Sequence, residues 1–98
     1  MTEETNQVDN IKYRNIVEAG LLASGQPMTI EQLQALFDEF SRPEKQRIKD
    51  ALEQLEQDYL DRGIELIQVA SGYRIQVKSS MQQWISRLWV EKPGRYSR

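Results

Sequence analysis

Between Asp61 and Val77 a helix ends and, with almost no linker, a tight two-stranded hairpin begins; few small folds accommodate that junction. The residues are Asp61-Arg62-Gly63-Ile64-Glu65-Leu66-Ile67-Gln68-Val69-Ala70-Ser71-Gly72-Tyr73-Arg74-Ile75-Gln76-Val77. Gly63 stands where a left-handed C-cap is expected, because glycine has no Cβ to clash at positive φ. Ile64, Leu66, Ile67 and Val69 form one strand. Tyr73, Ile75 and Val77 alternate with Arg74, Gln76 and Lys78 in a second, and Ser71-Gly72 supplies the turn. Three helices upstream make the hairpin the wing of a winged helix.

The first helix is expected from about Asn10 to Ser24. Ile16, Val17, Gly20, Leu21 and Ser24 share a face, with Leu22 and Ala23 widening the apolar arc. Gly20 inside a helix costs about 1 kcal/mol relative to alanine, which points to something packed closely against the backbone there. Gly25 ends the helix. Pro27-Met28 is extended and placed to add a short edge strand to the hairpin. Thr29 caps the second helix, with Gln32 in the reciprocal capping-box position, and Leu33, Leu36, Phe37 and Phe40 face inward. Ser41-Arg42-Pro43-Glu44 forms a second capping box with Pro43 in the first turn. The third helix then runs from Arg42 to about Arg62, with an apolar stripe of Ile48, Leu52, Leu55, Tyr59 and Leu60. After the hairpin, Ser79 or Ser80 caps a fourth helix holding Met81, Trp84, Ile85, Leu88 and Trp89, stopped by Lys92-Pro93-Gly94.

The expected fold class is therefore α+β, mainly helical: a winged helix-turn-helix with a two- to three-stranded β-wing and an extra C-terminal helix. A helical bundle with a hairpin insertion is the alternative. Residues 1–9 read as a disordered leader, 10–92 as the winged-helix domain and 93–98 as a linker.

With 98 residues the chain makes one small domain with one modest core. No apolar run approaches the ~20 residues of a membrane span, and the polar, acidic N-terminus is not a signal peptide, so a cytoplasmic protein is expected. There is no cysteine and no histidine. That removes thiol chemistry, disulfides, zinc sites built on sulfur or imidazole, and Ser-His or Cys-His nucleophiles. The composition leans toward a binding module, with no cofactor, metal or small-molecule substrate expected.

The net charge of −2 is unevenly placed. Residues 1–61 carry six Lys/Arg against thirteen Asp/Glu, a balance of −7, and residues 62–98 carry seven against two, a balance of +5. A dipolar domain suits a partner of mixed charge; the plain alternative is solvated surface.

A helix-turn-helix raises the question of DNA. Its contacts would be Arg42, Lys45, Arg47 and Lys49 on the third helix and Arg74 on the wing. Phosphate neutralisation needs a basic face, yet Glu44 and Asp50 interrupt this one. The helix continues into Glu53, Glu56, Asp58 and Asp61, and the wing tip has no lysine or arginine. The carboxylates Asp50, Glu53 and Glu56 fall on the face away from the apolar stripe, where a solvated surface explains them better than an acid–base pair or a hard-metal site. Lys49 with Glu53, and Asp58 with Arg62, have the spacing of helix ion pairs. The glycines are isolated and form no phosphate-binding loop. The aromatic end of the chain is more informative. Leu22, Met81, Trp84 and Trp89 are the candidate interface residues. Of the two tryptophans, Trp84 is the one expected to close the core and Trp89 the one expected to face a partner.

Several strings together resemble one family. Val17-Glu18-Ala19-Gly20-Leu21-Leu22-Ala23-Ser24-Gly25-Gln26-Pro27-Met28-Thr29 is similar to the opening helix and turn of ScpB, the segregation and condensation protein B family. Ala51-Leu52-Glu53-Gln54-Leu55, leading into Asp61-Arg62-Gly63-Ile64-Glu65-Leu66, and Val69-Ala70-Ser71-Gly72-Tyr73-Arg74-Ile75-Gln76 with Trp84-Ile85 continue the match in register over about residues 11–98. The departures are Gly20 and Leu22, where that family usually has leucine and phenylalanine, and Trp89, where it usually has an aliphatic residue. The family resembled has two winged-helix domains. Tyr96-Ser97-Arg98 looks like the start of the second, so the chain is expected to be similar to the N-terminal domain alone. The resemblance implies a non-enzymatic subunit of the bacterial SMC condensin-like complex, which condenses and segregates chromosomes. It also implies a homodimer that binds the kleisin ScpA and, through it, SMC, associated with the nucleoid, with DNA touched only weakly or through the complex. A winged-helix transcription regulator that binds DNA is the alternative.

Overall fold

The computed structural model describes residues 2–89, with side chains from residue 10. Helix α1 (Thr2–Ser24) is followed by α2 (Ile30–Gln34), α3 (Lys45–Asp58) and the antiparallel strands β1 (Ile64–Val69) and β2 (Gly72–Val77). A 3-10 turn (Ser79–Met81), a four-residue helix α4 (Gln82–Ile85) and a second 3-10 turn (Ser86–Trp89) complete it. This is the expected winged helix.

Helix α1 begins at Thr2 rather than near Asn10, so residues 2–9, read from sequence as a disordered leader, have helical backbone. No glycine or proline interrupts that stretch. The helix stops where expected: Gly25 takes φ 67°, open to glycine at no steric cost. Gly20 also meets its expected close neighbour, since a methyl group there would overlap Leu36 Cδ1.

The capping box of α2 forms as expected. Thr29 Oγ1 accepts from Gln32 N at 3.1 Å, and Gln32 Oε1 accepts from Thr29 N at 2.8 Å. The second box does not form. Pro43 holds Arg42 out of the helical region, so α3 starts at Lys45 with Glu44 as an N-cap that makes no side-chain bond. The loop is fastened instead by Asp38, whose Oδ1 accepts from Phe40 N at 2.9 Å and Ser41 N at 3.0 Å. Gln34 Nε2 donates to Pro43 O at 2.9 Å from the other side.

Helix α3 ends at Asp58, short of the expected Arg62, and Gly63 does not take positive φ. The last carbonyls are satisfied by a lysine: Lys78 Nζ donates to Tyr59 O and Leu60 O, each at 2.9 Å. A cation at a helix C-terminus also opposes the negative end of its dipole. Gly63 is small for a packing reason, since a Cβ there would come within 3.3 Å of Met81 Cγ and Sδ.

The hairpin pairs Ile64 with Val77 through to Val69 with Gly72, leaving Ala70-Ser71 as the two-residue loop. The turn thus lies one residue earlier than the Ser71-Gly72 read from sequence. Among the described residues no non-glycine residue has positive φ, so the reversal falls on Gly72, at φ 134°. Gly72 has a second reason to be glycine: a side chain there would overlap the Met28 carbonyl. Met28 is the expected third edge. Its N donates to Tyr73 O at 2.9 Å and its O accepts from Tyr73 N at 2.8 Å.

The core gathers Val17 and Leu21 of α1, Leu33 and Phe37, the α3 stripe Ile48, Ala51, Leu52, Leu55 and Tyr59, and Leu66 of β1. Ile64, Tyr73 and Ile75 close it from the inner hairpin face. Three residues expected inside are outside: Leu36, Phe40 and Leu60 are all exposed. Helix α2 is too short to carry Leu36 and Phe40 round to its buried face, and Leu60 lies past the end of α3. The continuous fourth helix is also replaced by short turns. Ser79 and Ser80 lie inside the first 3-10 turn, where neither caps α4. The helix stop at Lys92-Pro93-Gly94 and the linker 93–98 lie outside the described residues.

A part-buried polar bond ties α1 to the C-terminal end of α3. The Tyr59 hydroxyl donates to the Glu18 carboxylate, and the Tyr59 side chain is almost fully buried. Burial pushes the Tyr59 phenol above its ordinary range, and Glu18 pushes it further. Tyr59→Phe leaves that half-buried carboxylate without its donor. The expected loss is about 1–3 kcal/mol, read as a lower urea midpoint at unchanged slope. The raised phenol also sets a pH window: the neutral form is favoured by folding, so its contribution is complete below the ordinary tyrosine pKa of about 10 and is lost as pH rises above it. Tyr59→Phe should flatten that alkaline loss.

Candidate partner-binding surface

Four of the five cations that DNA binding would require make contacts within the fold. The Arg42 guanidinium donates to Phe37 O at 3.4 Å. Lys45 Nζ lies 2.9 Å from Glu31 Oε2, a contact that holds the Glu31 carboxyl below its ordinary range. Arg47 stacks 5.1 Å over the Tyr13 ring and donates to Asn10 Oδ1 at 3.4 Å. The Tyr13 ring in turn tilts against Phe37 at 5.3 Å, so Arg47 caps an aromatic pair between α1 and the core. Arg74 donates to Gln76 Oε1 at 3.1 Å along β2. Lys49 is exposed and has no ion-pair partner among the described residues. Three of the four cations on and before α3 therefore brace this domain, and among the described residues no basic stripe is left there for phosphates.

The ion pairs read from helix spacing are not those that form. Asp58 pairs with Arg14 of α1 at 3.0 Å, not with Arg62, and also accepts from Gln54 at 2.9 Å. Asp50 accepts from Gln46 Nε2 at 3.0 Å. Between α1 and α3 lies an open groove of about 810 Å³, edged by Ile11, Arg14, Asp50, Glu53, Gln54 and Gln57. Its walls are mixed in charge. Among the described residues no group of three or more carboxylates converges to hold a metal.

The distinctive surface is apolar. In the segment Ser79–Trp89, Trp84 is 57% exposed, Leu88 66% and Trp89 73%. Trp89 is thus on the outside, as expected. Trp84, expected to close the core, is outside as well. The reason is the loss of the long fourth helix: four helical residues cannot lay a continuous apolar stripe on the hairpin, and so short a helix has little stability without such packing. Met81 is the anchor of the segment, half-buried against Gly63. Leu22 is exposed too, but on α1, whose main contacts run to α3 and β2 rather than to this segment. The structure therefore groups Met81, Trp84 and Trp89 on one stretch of chain and sets Leu22 apart.

A second apolar feature, expected in the core, is Phe40. It is 97% exposed at the tip of the loop between α2 and α3. The bonds from the Ser41 side chain and from the backbone N–H groups of Ser41 and Phe40 hold the Asp38 carboxyl below its ordinary range, so the turn that presents Phe40 is fixed by an ionised cap. The sequence carried a signal for this, because Asp two residues before an aromatic, followed by Ser and then Pro, is the composition of an Asx-type turn rather than of a helix. Trp84, Leu88 and Trp89 are exposed together on one short segment, whereas Phe40 stands out singly on its loop. No helix among the described residues is long and apolar enough to cross a membrane.

Residues 15–98 match the family model of the segregation and condensation complex subunit ScpB. The chain is 48% identical, over 93% of its length, to a segregation and condensation protein B homolog of Coxiella burnetii, of which it covers 44%. It is 32% identical, again over 93% of its length, to segregation and condensation protein B of Syntrophotalea carbinolica, of which it covers 45%. The chain thus spans less than half the length of these curated relatives. Among solved structures it is similar to a dimer of the ScpB N-terminal domain complexed with ScpA peptide: TM-score 0.66, 26% identity, 76% of this chain and 88% of that one. It has the same fold as ScpB from Mycobacterium tuberculosis, with TM-score 0.70 at 22% identity over 88% of this chain and 55% of that one.

Proposed function

Because the chain belongs to the ScpB family of segregation and condensation complex subunits, we propose that it is a non-enzymatic part of the bacterial SMC complex, which homodimerises and docks the kleisin ScpA. The observation that carries this reading is the likeness to a dimeric ScpB N-terminal domain holding a ScpA peptide, which extends over most of both chains. The exposed aromatic segment supports it, since desolvated tryptophans dominate the energetics of protein interfaces. We place Met81, Trp84 and Trp89 in the dimer face, with Leu22 a separate contact. The site of action is the cytoplasm, at the nucleoid, and any link to SMC and to DNA runs through ScpA.

The regulator reading requires a phosphate-facing cluster of cations, and Arg42, Lys45 and Arg47 are engaged elsewhere. Two titrations separate the readings. Calorimetric addition of a ScpA fragment should give saturable binding. A mobility-shift assay at physiological salt should give at most the weak, salt-sensitive binding of about 10⁻⁴–10⁻⁶ M typical of non-specific contacts. A sequence-specific nanomolar site, with no heat on adding ScpA, would reverse the assignment.

A further inference from the structure

The Phe40 loop is built to be met. A phenylalanine exposed over 97% of its surface forfeits the burial that favours the fold, yet its loop is held in one conformation. Asp38 Oδ1 fastens two backbone N–H groups, Gln34 ties Pro43, and Arg42 reaches back to Phe37 O. A loop already ordered loses little further entropy on binding. Its rim is acidic: residues 36–44 hold Asp38, Glu39 and Glu44 against Arg42, a balance of −2.

The same chain displays the complement. Residues 79–89 contain Arg87 and no carboxylate, a balance of +1, around the exposed Trp84, Leu88 and Trp89, with Lys78 at their edge engaged on the end of α3. Arg87 is exposed and has no ion-pair partner among the described residues. Phe40 and the Trp84–Trp89 segment are each open to solvent, so they do not satisfy one another within a protomer.

From these features, and resting on the dimer reading above, we infer that the Phe40 loop of one protomer docks on the Trp84–Trp89 segment of a second copy. The two-fold axis makes the contact twice. Self-facing patches would set Glu39 against Glu39, or Arg87 against Arg87. The reciprocal arrangement sets Glu39 and Glu44 against Arg87, and charge complementarity of this kind fixes register and disfavours the alternatives.

Sedimentation of mixed variants tests it. Phe40→Ala and Trp89→Ala each lose both copies of the contact, so each alone should dimerise about 30-fold or more weakly, the cost of a hot-spot truncation. An equimolar mixture keeps one contact intact, between Phe40 of one chain and Trp89 of the other, and should form heterodimers more tightly than either parent dimerises. Glu39→Arg and Arg87→Glu, both changes to exposed side chains, give a second pair: each weakens the dimer and their mixture restores it. A Phe40→Ala chain that dimerises like the wild type overturns the inference while leaving the dimer reading standing. So does a Phe40→Ala chain that loses only its binding of a ScpA fragment, or a mixture no tighter than its parents. A monomeric wild type overturns both.

Discussion

Leu55→Ala should cost about 2–5 kcal/mol, the range for emptying a buried leucine site, and should leave the domain near the edge of folding. Leu55 is fully buried in the last turn of α3, among core residues supplied by α1, the α2 region and β1. Among the described residues the core cluster holds ten buried side chains. A domain of this size typically has a total stability of about 5–15 kcal/mol, so one such cavity removes a large share of it. The neighbours have little freedom to collapse into the space, because Ile48 and Leu52 are fixed on the same helix and Val17 and Leu21 are held on α1 by the Tyr59–Glu18 and Arg14–Asp58 bonds. Urea unfolding followed by circular dichroism reads the change. A loss below about 1 kcal/mol would mean that the site refills and that the α1–α3 contact is looser than described.

Trp89→Ala is expected to do the opposite: leave the fold and remove the dimer. Trp89 is 73% exposed at the end of the described chain, so truncating it opens no cavity. A tryptophan desolvated at the centre of a small interface contributes about 2 kcal/mol or more, which weakens dimerisation about 30-fold or more and shifts a micromolar sample to monomer. The helical circular-dichroism signal should be unchanged. Its loss would show that the second 3-10 turn supports the fold rather than the interface.

The wing and the α3 stripe were legible because both are local patterns. Period-two alternation over Tyr73–Val77, and apolar residues spaced by three and four from Ile48 to Tyr59, each allow one reading. The capping box at Thr29 is a motif of adjacent residues and formed as written. What went unseen depends on where helices stop and on what lies far away in sequence. Continuing the helical period past Gln34 puts Phe40 and Leu36 inside, but the chain turns on Asp38 instead. The same extension past Asp58 puts Leu60 inside. Ser41 has the right chemistry for a cap, but Pro43 moves the start of α3 beyond its reach. Arg14 and Asp58 are 44 residues apart, and Arg47 finds Tyr13 across two helices; no local spacing announces such pairs. The candidate interface residues are recognisable by type, since tryptophans are enriched where proteins meet. Trp84 was misplaced because its exposure follows from the shortness of α4, which the run of good helix formers concealed.

The proposed function makes this chain a self-associating module that holds a kleisin segment. Sedimentation equilibrium of the unaltered chain, alone and with a ScpA fragment, tests it most directly. The account predicts a species of twice the 11.5 kDa chain mass at micromolar concentration, which gains mass when the fragment is added. A chain that stays monomeric at high micromolar concentration, and whose mass is unchanged by ScpA, would contradict it.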